Sequence, residues 1–578
     1  MKSDRMKRLT AVTAAVAAFA MLASGCGSSN GSSSGDTGKV GAAEPASGFE
    51  SDYQGAYPMP EMDKAYNNPQ DRDNIKDGGE LHLATTYTPN WNNFSVEGNT
   101  GYMGEMWGWY MPSLVCFDLK GNMTWNKDYI TDAKVTNENP LTVTYDINPK
   151  ATWNDGTPID WTAFKSTWEV MNGSNPAYNP PSTDGYSSVK SVEQGSNAKQ
   201  AVVTFAKPYF PWQSVFTGLY SPEATDPKTF TEGWIDTPHN EWAAGPFKVQ
   251  QADKDGATFV RNEKWWGEKP KLDKITYKYM EDTAMLNAFK NGEIDSVTFS
   301  NANSLKTVRG RKDSQIRLGY SLLTNVFVFN GASGPLKDIK VRKALNQAYD
   351  RDTMTKIQSQ GLNWKPKPAG SEVFPLFQEG YEDNRPAAAK KLDVAGAKKT
   401  LESDGYKMGD DGYFAKDGKT LQVRYTYFGD TAQGTAIAKA YQQMMKAAGI
   451  KIVLDNKDTS KWADTMNNHD YDVTTMAWQA NNPWGQLNIT QLYGSKSESN
   501  YSFVGNDEID QLAKVPGTIE DQAEAVKAAN KAEKAALALY GTMPMNIPAG
   551  FYAVTKGLAN WGPAGFTSTD PTLVGWQK

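Results

Sequence analysis

The chain has 578 residues, 39% hydrophobic and 22% charged, more than one hydrophobic core organises, so two or three compact lobes are expected. The net charge is −6, and the leader's surplus of three positives (Lys2, Arg5, Lys7 and Arg8 against Asp4) leaves the remainder at −9. That balance argues against nucleic acid or an anionic membrane surface as the main partner.

In chain order, residues 1–25 have a basic start, an apolar stretch from Leu9 to Leu22 and small residues Ala23, Ser24 and Gly25. This is the layout of a signal peptide, with an apolar stretch too short to span a membrane, which takes about 20 residues. The stretch Leu22-Ala-Ser-Gly-Cys26 resembles the bacterial lipobox, whose cysteine becomes the lipidated first residue of the mature protein. Gly27 to Gly35 is a flexible linker by composition, so residues 26–76 are expected to be a lipidated cysteine and its tether. Two or three acyl chains anchor stably where one is marginal. With Cys26 consumed in this way, Cys116 is the one thiol left and no internal disulfide is expected.

Order is expected to begin at residues 77–94, where Leu81 and Leu83 alternate as in a strand before a turn-rich segment. Residues 141–171 read as a strand, a turn at Asp155 to Pro158 and a helix starting near Asp160. A helix ending at Asn291-Gly292, another through Val341, Ala344, Leu345, Ala348 and Tyr349, and a hairpin over 410–419 follow. In residues 434–456, Ile437, Ala440, Tyr441, Met444, Met445 and Ala448 keep helical spacing, Gly449 is a stop, and Ile450, Ile452 and Leu454 alternate as a strand. Helices and strands in turn predict α/β lobes with mixed sheets.

Motifs for catalysis do not emerge. The three histidines, His82, His239 and His469, lie far apart and outside any metal-ligand spacing, and there is no CxxC, P-loop, GxSxG or EF-hand pattern. No metal, no cofactor and no enzymatic activity are therefore expected. Aromatic residues, 12% of the chain with 18 Trp and 27 Tyr, are conspicuous. Most are expected in cores, as for Trp168 and Trp265-Trp266. Those in turn-rich stretches are candidates to line a ligand cleft: Tyr87, Asn90 and Trp91 in "YTPNW", and Trp478, Asn481, Asn482 and Trp484 in "WQANNPW".

Six stretches in order carry a resemblance: "GGELHLA" (78–84), "NPKATWNDGTPIDWTAFKSTW" (148–168), "AAGPFKV" (243–249), and the segments 262–297, 329–354 and 435–452. Together they resemble family 5 extracellular solute-binding proteins of ABC importers, and "KDYITDAKVTNENPLTVTYDINPKA" is similar to an actinobacterial lipoprotein branch. The resemblance implies a periplasmic-binding-protein-like two-lobe α/β fold of class II type. Lobe I would span 77–325, with a subdomain inserted at about 105–240, lobe II 326–545, and residues 546–578 would return to lobe I. It further implies a monomeric, non-enzymatic receptor, held by lipid at the outer face of the cell membrane, that closes around a peptide and delivers it to an ABC permease and ATPase. An oligosaccharide receptor and a structural or regulatory lipoprotein are the alternatives. Peptide-binding relatives commonly carry Asp three residues after the Trp that matches Trp478; here that position is Asn481, so a carboxylate for a peptide's α-ammonium is missing.

Overall fold

A computed structural model of the protein describes residues 48–58 and 66–578, apart from 184, 365, 430, 459, 460, 481 and 498. The leader, Cys26 and the Gly/Ser tract lie outside the described residues, as does Asn481. The chain divides into two units, one of residues 66–320 and 549–578 with 48–55, the other of residues 321–548 with 56–58.

In the first unit, strand Glu80–Thr85 runs parallel to Lys274–Tyr279, which continues antiparallel into Gly256–Arg261 and Phe247–Ala252. A second sheet orders Phe49–Glu50, Ser314–Tyr320, Ala549–Thr555 and Ser296–Phe299, all antiparallel. A third is the antiparallel set Ile130–Glu138, Leu141–Ile147, Gln200–Phe205 and Val189–Gln194. Helix Trp161–Met171 packs on this last sheet. It starts where expected because the Asp160 carboxylate accepts from the Thr162 amide at 2.9 Å, and it buries Ala163, Phe164, Thr167, Val170 and Met171 at helical spacing.

In the second unit, five strands stand in the order Lys451–Lys457, Gln422–Phe428, Val473–Gln479, Leu323–Phe329 and Thr542–Asn546. The first three are parallel and the rest antiparallel. Helix Ala432–Ala447 links the first parallel pair, completing the βαβ unit of which the sequence shows half. Gly449, at φ +80°, ends it; a Cβ there would lie 2.8 Å from Phe414. The hairpin over 410–419 is present as Phe414–Lys416 against Lys419–Thr420.

Three expectations are revised. The periodic stretch after Val341 is two helices, Ile339–Gln347 and Arg351–Gln358, because the Asp350 side chain accepts from the Thr353 amide and caps a new start. The stretch taken as tether is held in places: Phe49 and Glu50 pair with Ile316 and Gln315, and Phe49, Tyr57 and Tyr66 are buried. Apolar side chains this large order the chain wherever they find a core. Cys116, buried on strand Val115–Phe117, is disulfide-bonded, against the expectation of no internal disulfide.

Candidate functional site

In the first unit, the chain leaves strand Glu80–Thr85 into the Tyr87–Trp91 segment, which runs alongside residues 234–236. The Asp236 amide donates to Pro89 O at 2.7 Å, the Trp91 amide to Trp234 O at 3.0 Å, and Asn90 bridges Ile235. Tyr87 is exposed, and its hydroxyl donates to Asp236 Oδ1 at 2.6 Å. That carboxylate lifts the phenol above the usual tyrosine range. The Tyr279 ring lies 5.3 Å away, so Tyr87, Tyr279 and Asp236 form one aromatic and acidic surface. Sequence reasoning missed Asp236 and Tyr279, since the Tyr87–Asp236 bond closes over 149 residues and no local pattern announces it.

The other two candidates of this segment do structural work. Asn90 is buried, and its side-chain oxygen accepts from the Asn92 amide at 2.9 Å to form a turn. Trp91 is 2% exposed, packed edge-on to Tyr110 and against Phe259, so its indole belongs to the interior and presents no face to a ligand. An aromatic ring next to a turn still finds the core when the turn itself is packed down.

In the second unit, Trp478 pairs across the sheet with Thr324 and stacks on Tyr501 at 6.1 Å and 22°. It is only partly buried, so one edge stays open. Asn482 is half-buried and spends its side-chain oxygen on the Trp484 amide, 2.9 Å away. Trp484 is 7% exposed, so its indole is interior, a departure from the expectation of a ligand wall. The loop is seated by Gly485, whose missing side chain lets it approach Val373: a Cβ would fall 2.2 Å from Val373 O.

Val373 belongs to a turn held by buried acid. Glu533 accepts from Ser371 Oγ (2.6 Å), Asn384 Nδ2 (2.6 Å), the Glu372 amide (2.7 Å) and Tyr493 Oη (3.0 Å). Burial raises the Glu533 carboxyl, and these four donors oppose that shift by favouring its ionised form. Glu372 carries the proton: burial, then the Glu533 charge, pushes it up to about 8, and no hydrogen bond of good geometry reaches either of its oxygens among the described residues. The Trp478–Trp484 loop thus rests on a turn whose geometry a buried acid pair sets.

Elsewhere in the first unit, a depression of about 620 Å³ is lined by Asn154, Asn240, Lys248, Asn262, Glu263 and Lys264. It contains none of the sequence-predicted residues, and Lys248 and Glu263 neutralise each other at 2.6 Å. Among the described residues no group of three or more His, Cys, Asp and Glu is placed to hold a metal, and no helix is long and apolar enough to cross a membrane. The candidate residues in the two units are aromatic rings, amides and a carboxylate.

Comparison with known proteins agrees. The family model for bacterial extracellular solute-binding proteins, family 5 (middle), matches residues 125–500. The chain is 32% identical over 520 residues to the oligopeptide-binding protein OppA of Mycobacterium tuberculosis, covering 88% of this chain and 87% of that one. Among solved structures, it resembles the periplasmic EDTA-binding protein EppA (TM-score 0.79, 23% identity, 89% of this chain and 98% of that one). It also resembles lactococcal OppA complexed with an endogenous peptide in the closed conformation (TM-score 0.70, 21% identity, 86% and 100%). The fold is that of the periplasmic binding proteins, and the chain belongs to family 5 of the bacterial extracellular solute-binding proteins.

Proposed function

We propose that this protein is the receptor of an ABC importer, capturing peptides by closure of two lobes and handing them to a membrane permease. The observation that carries the reading is the likeness to an oligopeptide-binding protein over 88% of the chain. Lobe I would comprise 77–325, with its inserted subdomain near 105–240, and 546–578; lobe II would be 326–545. The crossings would lie near 325–330 and 544–547, where Asn325 Nδ2 donates to Asn546 Oδ1 at 2.8 Å and ties two neighbouring strands. Tyr87 from one lobe and Trp478, Asn482 and Asn481 from the other would meet the ligand, the asparagines offering neutral hydrogen bonds only. Asn90, Trp91 and Trp484 would support these walls from behind. Since charge-assisted bonds are roughly twice as strong as neutral ones, a peptide's free amino terminus would not be fixed at Asn481.

The test is thermal denaturation with peptide and glycan pools. A ligand that binds only the folded state stabilises it by RT ln(1 + [L]/Kd), about 2.7 kcal/mol at a hundredfold excess over Kd. A rise in Tm with peptides and none with glycans supports the reading; the reverse overturns it. Membrane attachment would come through diacylglycerol on Cys26. The intact mass of the membrane fraction decides this part. Cys26→Ala should release the protein or leave an uncleaved precursor.

A further inference from the structure

The parallel strands Glu80–Thr85 and Lys274–Tyr279 end together, with Thr85 opposite Tyr279. Tyr87 and Asp236 stand just past these carboxyl ends, the edge at which α/β sheets present ligand sites. Asp236 is fixed there by two bonds: its amide donates to Pro89 O at 2.7 Å, and its carboxylate Oδ1 accepts from Tyr87 Oη at 2.6 Å. They hold its backbone at φ +53°, a left-handed conformation that Asp and Asn tolerate better than other residues with a Cβ. Tyr87 is fixed in turn. Its ring lies 5.3 Å from that of Tyr279, whose hydroxyl reaches Met106 Sδ at 3.8 Å and whose amide donates to Asp255 O at 2.9 Å. A side chain on the surface loses rotamer freedom when it is held and gains little burial in return, yet Tyr87, 38% exposed, is held at both ring and hydroxyl.

Charge distinguishes Asp236 from the other acids around this sheet. Glu80 is paired with Lys274 at 2.7 Å, Glu293 with Lys278 at 3.3 Å and Glu263 with Lys248 at 2.6 Å. Asp236 is exposed and has no ion pair among the described residues, and both lysines of strand Lys274–Tyr279 are already taken. The Tyr87 hydroxyl occupies Oδ1, while Oδ2 accepts no hydrogen bond among the described residues. Beside it in the chain, Ile235 is 49% exposed. A carboxylate with one oxygen open, a phenol ring fixed against it and an exposed aliphatic side chain are the parts that receive a cation on an aliphatic stem. The carboxylate supplies charge-assisted hydrogen bonds, the ring a face for the cation, and the apolar surface a rest for the stem.

We propose that Asp236, positioned by Tyr87, is a specificity residue that binds a cationic group of the ligand: the ammonium or guanidinium of a lysine or arginine side chain, or a free amino terminus. This rests on the peptide-receptor reading for the ligand class only. All its parts lie within the first unit.

The test uses isothermal calorimetry with four probes. The first is a short alanine-based peptide with one central lysine and an acetylated amino terminus. The second has the lysine acetylated as well, the third has acetyl-lysine and a free amino terminus, and the fourth is putrescine. Wild type should bind one of the two cationic peptides about tenfold more tightly than the doubly acetylated one, and which of them it prefers identifies the source of the cation. Added salt should shrink that preference, because the pair is exposed. Asp236→Asn, which suits the left-handed backbone and still accepts from the Tyr87 hydroxyl, should abolish the preference and its salt dependence. Tyr87→Phe, which keeps the ring and releases the carboxylate, should reduce the preference; an unchanged Tm verifies the fold of each variant. Equal binding of the three peptides, or a preference that survives Asp236→Asn, would overturn the proposal and leave the peptide reading standing. Putrescine bound in an Asp236-dependent manner, with no peptide bound, would sustain the cation subsite and overturn the peptide reading. Binding of none of the four overturns both.

Discussion

Replacing Glu372 by Gln should make the protein more resistant to alkaline conditions. In the folded state burial, reinforced by the neighbouring Glu533 charge, lifts the Glu372 carboxyl from 4.5 to about 8. Between those two values the folded protein holds a proton that the unfolded chain has lost, so wild-type stability falls as pH rises from about 4.5 and levels off above about 8. At about 1.4 kcal/mol per pH unit, the full span amounts to about 5 kcal/mol. Gln cannot ionise, is nearly isosteric with the neutral acid, and removes the like charge beside Glu533. The variant should therefore match wild type near pH 4.5 and exceed it progressively, by about 3–5 kcal/mol at pH 8.5. Urea unfolding of both proteins at about pH 5, 6.5 and 8.5 measures the difference, in which titrating groups remote from Glu372 cancel. A difference that stays constant with pH, or a variant less stable than wild type at the highest pH, would refute the assignment of the proton to Glu372.

Two further outcomes are expected. Arg317 is fully buried, with burial lowering its guanidinium to about 9, and it donates to Trp561 O at 2.5 Å and Leu558 O at 2.6 Å; Arg317→Met should strand both carbonyls and cost about 3 kcal/mol, read as a lower Tm. Gly485→Ala should push the Trp478–Trp484 loop off Val373, costing about 1–3 kcal/mol and weakening binding of any ligand that uses Trp478, measured by calorimetry beside the melting curve.

Local chemistry made much of the fold legible. Asp160 before an amphipathic run announces the start of a helix, Gly449 after one announces its end, and the alternation of Leu81 and Leu83 marks a strand; each signal acts over a few residues, and each is where it was expected. The break at Asp350 shows the limit of periodicity. Apolar spacing continues through the stretch, but a side-chain cap interrupts the backbone, and spacing alone does not register a cap.

The candidate site divides along the same line. Composition and turn chemistry drew attention to Tyr87 and Trp478, and both retain accessible surface. The same reasoning selected Trp91 and Trp484, because from sequence an aromatic beside a turn is equally a wall or a core residue; only packing decides, and both are buried. The partner that gives the surface its charge comes from distant chain: Asp236 reaches Tyr87 across 149 residues. The amino-acid sequence by itself determined the family, the α/β class and the turns that expose side chains, since these depend on short-range pattern. Which carboxyl is desolvated, which is ionised and which aromatic faces water were decided by tertiary structure, because solvation and charge depend on what the whole fold brings within a few ångströms.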